Sequence, residues 1–149
     1  MNVQFCAGGH NLPGFENKDM DCDIRNPLPY NDNSVTMAYC SHGAEHINSH
    51  EGLRFFQEVH RILKPGGVFR VVVPTLEKIT SREHARDLIL GHGHAQVFSK
   101  ESLRDILWAA GFDRESIAFT EKDPRYDWHG RTIGEDKDNQ ESCWVEATK

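Results

Sequence analysis

The run VTMAYCS (35–41), the amphipathic segment 49–63 and the stretch KPGGVFRVVVP (64–74) leave this chain few folds to choose from. VTMAYCS is mostly apolar and follows the turn residues NDNS, which is the composition of a strand. In the next segment Leu53, Phe56, Val59 and Leu63 share one helical face, and Asn48 with Glu51 forms a capping-box-like start. Pro65, Gly66 and Gly67 predict its stop. VFRVVVP is apolar and β-branched, as in a strand covered on both faces of a parallel sheet. Strand, helix and strand in that order predict a three-layer α/β domain with a mainly parallel sheet.

The flanking sequence extends the pattern. Residues 2–6 and 16–20 read as short strands, and 75–98 as a helical excursion. Ser99 caps a further helix with Leu103, Ile106, Leu107 and Ala110 inward, closed by Gly111. Strands near 115–121 and 142–148 follow, separated by the polar loop 122–141. The length suits a single domain over residues 1–149. Such sheets bind ligands beyond the carboxyl ends of their strands, near the point where strand order reverses. The residues to inspect are therefore Cys6 to Gly9, Asp19 to Asp23 and Cys40 to His46.

One spacing is unusual. Gly8 to Phe15 must return the chain from the first strand to the start of the second, where parallel neighbours normally use a helix. Eight extended residues reach roughly 26 Å, and a four-residue strand is only about 13 Å long. The loop HNLPGF (10–15) is thus long enough to replace the helix.

Charge and cysteines narrow the function. With 17 basic against 23 acidic residues, formal charge −6, and no Lys/Arg block, non-specific nucleic-acid binding is not indicated. No apolar run approaches the ~20 residues of a membrane span, and no basic-then-apolar leader opens the chain. The four cysteines (6, 22, 40, 143) contain no C-x-x-C pair, which suits a reduced, cytoplasmic protein.

FCAGG, NKDMD, LPYNDNSVTMAYCSHGAEHI, RFFQEVHRILKPGGVFRVVVP and FSKESLRDILWAAGF, in that order over residues 3–112, resemble class I S-adenosylmethionine-dependent methyltransferases. The likeness is to the broad type-11 group, abbreviated at the first crossover. It implies a Rossmann-like sheet, S-adenosyl-L-methionine as cofactor and an unidentified methyl acceptor. Phe5, Cys6, Ala7, Gly8 and Gly9 would then cradle the amino-acid end of the cofactor. The family usually has Gly-x-Gly here, and Cys6 stands in the place of the first glycine. Asp19 would accept the ribose hydroxyls, Met20 would lie on the adenine, and Asp23 and Ile24 would meet its edge. Cys40, Ser41 and His42 would line the methionine end.

Bland readings stand beside these. Two glycines also make a plain turn, Met20 also suits a core, and Asp23 also suits a solvated turn. His42-Gly43-Ala44-Glu45-His46 matches the inverted zinc-protease signature H-x-x-E-H. Nine histidines make a chance match easy, so a zinc hydrolase through His42, Glu45 and His46 ranks last and no metal is expected. NPLPY (26–30) precedes the strand that the similar DNA-methyltransferase motif follows, and no Pro-Cys nucleophile exists. His42, His46 and His94 are the candidate general bases. The alternative is a non-catalytic cofactor-binding or scaffold protein. The small size and apolar late strands also suggest a homodimer.

Overall fold

A computed structural model describes residues 1–120 and 142–149. Its elements are β1 (Asn2–Phe5), β2 (Glu16–Asn17), β3 (Val35–Ser41), α1 (Ser49–Ile62), β4 (Leu63–Pro74), α2 (Arg82–Leu90), α3 (Lys100–Ala109), β5 (Ala118–Thr120) and β6 (Ser142–Thr148). They form a mixed α/β fold around one six-stranded sheet in the order β2-β1-β3-β4-β6-β5. β2, β1, β3 and β4 pair in parallel, and β6 runs antiparallel to both β4 and β5. No described helix is long and apolar enough to cross a membrane.

α1 forms where its capping box predicted. Asn48 accepts from the Glu51 amide at 3.0 Å, and the Glu51 carboxylate accepts from the Asn48 amide at 3.0 Å. Its buried face is Phe55, Phe56, Val59 and Ile62, each worth about 1.5–3 kcal/mol when removed from water. Against that face lie Phe5 from β1, Cys40 from β3, and Phe69, Val71 and Val73 from β4. Leu103 and Leu107 of α3 join the same core. α3 is capped by Ser99 and followed by Gly111 at φ +114°, as expected. On the opposite face the core is smaller: Tyr39, Val72 and Leu12, with Phe15 and Trp144 beside them.

Several boundaries move. The first strand stops at Phe5, because Cys6 turns to φ +55°. The second covers only Glu16–Asn17 rather than 16–20, so Asp19 lies in a turn two residues beyond it. α1 ends at Ile62, one residue early, and KPGG belongs to the start of β4 rather than to the helix stop. There the register against β3 jumps from Val35↔Leu63 to Met37↔Val68. The intervening residues bulge out with Gly66 at φ +77°, pinned by its amide to the Lys149 carbonyl at 2.6 Å. The late strand near 115–121 shrinks to Ala118–Thr120, after a 3-10 turn at Arg114–Ser116. The loop expected over 122–141 lies outside the described residues.

The return from β1 to β2 is a loop, as the spacing required. It is fastened by two side-chain amides. Gln4, only 3% exposed, donates to the His10 carbonyl at 3.0 Å and accepts from the Leu12 amide at 3.1 Å. Asn17 Oδ1 accepts from the same Leu12 amide at 2.9 Å, and Asn17 Nδ2 donates to the Leu12 and Phe15 carbonyls, each at 3.1 Å. These bonds supply partners that a crossover helix would have supplied internally.

Candidate cofactor and active site

The chain passes from β1 to β2 on one side and then to β3 on the other, so strand order reverses between β1 and β3. Both of those strands are followed at once by a residue in the left-handed region: Cys6 at φ +55° and His42 at φ +51°. Neither is glycine, so each position carries backbone strain. Cys6 and Cys40 share a hydrogen bond, which lowers the Cys6 thiol pKa and raises that of the fully buried Cys40. Gly43 closes over them, where a Cβ would meet Cys6 Sγ at 2.4 Å.

Beyond Cys6 the chain turns through Ala7, whose amide donates to the Lys18 carbonyl at 3.0 Å and whose carbonyl accepts from His10 at 2.7 Å. Gly8 and Gly9 follow at φ +52° and +82°. Both are exposed, and among the described residues no atom beyond their chain neighbours lies within 4 Å of where a Cβ would stand on either. The glycines are not demanded by protein packing. They leave open backbone at the strand-order reversal, a cradle that side chains would fill.

Asp19 and Met20 stand on the turn after β2. The Asp19 amide donates to Asp21 Oδ1 at 2.9 Å, and Lys18 Nζ also reaches Asp21. That amide bond is the main reason the Asp21 carboxyl titrates below its usual range. The Asp19 carboxylate makes no hydrogen bond or ion pair among the described residues and faces solvent. Met20 is 94% exposed, so it is not a core residue. Asp23 is held by Arg25 through contacts of 2.7 to 3.1 Å, which push its carboxyl pKa down to about 2. Ile24, Phe5 and Cys40 are buried beneath the surface and support the site from below.

The stretch LPYND has a structural explanation that sequence reasoning missed. Arg61 of α1 donates to the Leu28 and Tyr30 carbonyls and to Asp32, and it pairs with Glu58. Glu58 in turn accepts from the Leu28 amide at 2.9 Å. A guanidinium fork fits several acceptors at once, and this one ties the loop before β3 to α1.

The three candidate bases sit at the carboxyl edge of β3 and the late loop. His42 is already engaged: Nε2 lies 3.1 Å from Ser142 Oγ and Nδ1 3.2 Å from Glu45 Oε1. Glu45 is 1% exposed, whereas His46 is exposed. The H-x-x-E-H residues do not share an α-helix, since only Ala44–His46 form a single 3-10 turn. His94 is half-buried and its Nδ1 lies 2.8 Å from the Leu88 carbonyl. Tyr126, Trp128 and His129 of the polar loop lie outside the described residues.

A family model described as a methyltransferase domain matches residues 6–117. A sterol 24-C-methyltransferase of Gibberella zeae is 32% identical over 103 residues, covering 63% of this chain and 27% of that protein. One from Kluyveromyces lactis is 28% identical over 115 residues, covering 72% and 30%. The chain thus spans roughly a quarter to a third of these relatives. A SAM-dependent methyltransferase structure from Thermotoga maritima superposes with a TM-score of 0.66 at 20% identity, covering 99% of this chain and 81% of that one. The Haemonchus contortus phosphoethanolamine N-methyltransferase 2, solved with S-adenosyl-L-methionine, gives 0.65 at 12% identity, covering 99% and 48%. At these identities the structures establish the Rossmann-like methyltransferase fold.

Proposed function

The chain belongs to the methyltransferase-domain family, and from that premise we propose that it binds S-adenosyl-L-methionine on the Gly8–Gly9 turn and transfers its methyl group. The observation that carries the proposal is the pair of open glycines at the strand-order reversal, beside an exposed, unpaired Asp19. A carboxylate that no protein group satisfies is suited to accept two ribose hydroxyls. The exposed Met20 thioether is suited to lie against an adenine face.

The cofactor supplies a methyl group already activated by its sulfonium, so the residues of this chain need to bind, orient and exclude water. Gly8 and Gly9 admit the ligand to the backbone. Ala7, Cys6 and Gly43 form the floor under it, and the Gln4 and Asn17 amides hold the loop that follows. His46 is exposed at the same edge. The acceptor is not specified by these residues, and sterol methylation belongs to relatives that this chain only partly covers.

The test combines binding with transfer. Calorimetry with S-adenosylhomocysteine should give one site per chain. Radiolabelled cofactor with fractionated lysate should then label one class among small molecules, nucleic acids, proteins or glycans. Binding without label in any fraction would instead support a non-catalytic cofactor-binding protein. Failure to bind would remove both readings.

A further inference from the structure

We propose that Glu45, His46 and His94 form a binding site for one divalent transition-metal ion. One ligand atom from each lies within 4.8 Å of the other two. The sequence places His94 far from the H-x-x-E-H stretch, and the fold brings it there while leaving His42 out of the group.

The Glu45 carboxylate is the decisive feature. The residue is 1% exposed, and neither of its oxygens has a hydrogen-bond partner. His42 Nδ1 lies 3.2 Å from Oε1, an ion pair only when that imidazole is protonated, and it meets no hydrogen-bonding direction. A buried carboxylate without donors costs several kcal/mol unless a cation satisfies it. His94 supplies the complementary feature. Its Nδ1 faces the Leu88 carbonyl at 2.8 Å, an acceptor only, so Nδ1 carries the proton and Nε2 keeps a free lone pair. Metal-bound histidines are oriented in this way by a carbonyl on the second nitrogen.

The scaffold holds the trio mainly through main-chain groups. The Ala95 and Gln96 amides donate to the Glu45 carbonyl at 2.8 and 3.2 Å, and Gln96 Nε2 donates to the Ala44 carbonyl at 2.8 Å. The His46 and His94 rings meet edge to face with centroids 5.1 Å apart. Main-chain and Gln96 bonds therefore fix the late loop on the 3-10 turn, and the carboxylate and imidazoles are left for a ligand. Two imidazoles and one carboxylate suit Zn²⁺, Co²⁺, Fe²⁺ or Mn²⁺, and three protein ligands leave coordination positions open.

This site stands independently of the methyl-transfer reading, and its test uses metal alone. Protein stripped with chelator and titrated with Co²⁺ should bind one ion per chain and develop visible absorption bands. Zinc after dialysis should be stoichiometric by elemental analysis. His46→Ala and His94→Ala should each weaken binding at least about 10-fold, with His50→Ala, exposed and outside the group, changing it less than about threefold. His46 is exposed, so its variant tests the site without a folding risk that Glu45→Gln would carry. Absence of a stoichiometric ion with Co²⁺, Zn²⁺ and Mn²⁺ would overturn the proposal. So would binding that survives both His46→Ala and His94→Ala, or that is lost only in His50→Ala.

Discussion

The loop that stands in for the first crossover helix depends on one shared donor, and that dependence can be measured. The Leu12 amide is bound by both Gln4 Oε1 and Asn17 Oδ1, at 3.1 and 2.9 Å. Gln4→Met keeps length and volume while removing two hydrogen bonds, each worth about 0.5–1.5 kcal/mol net. The Leu12 amide keeps Asn17, and the His10 carbonyl, on an exposed residue, can turn to water. The single variant should cost about 1–2 kcal/mol, or roughly 2–8 °C in melting temperature for a chain of this size. Asn17→Ala should cost a similar amount, because Asn17 is half-exposed and its carbonyl partners can be hydrated. In the double variant the Leu12 amide, on a residue only 8% exposed, loses both acceptors. An orphaned buried donor costs about 1–3 kcal/mol, so the double variant should exceed the sum of the singles by about that much. Urea unfolding of all four proteins closes the cycle. Additivity within about 0.5 kcal/mol would refute the shared-donor account.

Three further outcomes are expected. Asp19→Asn keeps the volume and loses the charge, and should weaken S-adenosylhomocysteine about 5- to 150-fold by calorimetry. Asp21→Asn retains an Oδ1 for the Asp19 amide and should change affinity less than about threefold; the reverse order would place the ribose ligand at residue 21. At Cys6, φ +55° favours glycine, so Cys6→Gly should be more stable than Cys6→Ala by about 1 kcal/mol in urea titrations, the opposite of the usual preference. Arg61 holds the Glu58 carboxyl below its ordinary pKa. The stability this provides is present above about pH 4.5 and is lost as pH falls through the lower folded value. The gap between wild type and Glu58→Gln should therefore narrow between about pH 5 and pH 3, and a gap that widens there would contradict the pairing.

Local signals were legible where local chemistry decides. The Asn48–Glu51 box, Ser99 and Gly111 fixed their helix ends because caps act within one turn. The parallel core of β3 and β4 was readable from continuous apolar runs. Other features depend on partners far away in sequence. Gln4, buried at 3% exposure, finds its partners only once the loop folds back over it. Leu63 reads as the last helical core position, but the chain becomes extended there, and Phe55 and Ile62 carry the buried face instead. β2 stops at Asn17 because β1 turns away at Cys6, φ +55°, so the Lys18 carbonyl accepts from the Ala7 amide instead of from a continuing ladder. Nothing in H-x-x-E-H points to His94. That neighbour arrives through the Thr75↔Phe98 bridge and the amides of Ala95 and Gln96, which no local pattern announces.

The order of strand lengths across the sheet governs how this chain can meet copies of itself. The long strands β3, β4 and β6, of 7, 12 and 7 residues, are all interior. Among the described residues the edges are β2 with two residues and β5 with three. An edge that short offers too little unpaired backbone to template a foreign strand, which is how natural sheets avoid amyloid-like growth. Next to β2, Lys18 adds a charge paired with Glu16 at 3.1 Å, a further obstacle to pairing. The VFRVVVP segment, as aggregation-prone as any in the sequence, is flanked on both sides by native strands. Aggregation through this segment therefore requires opening of the sheet, so its rate should follow unfolding rather than the concentration of exposed edges.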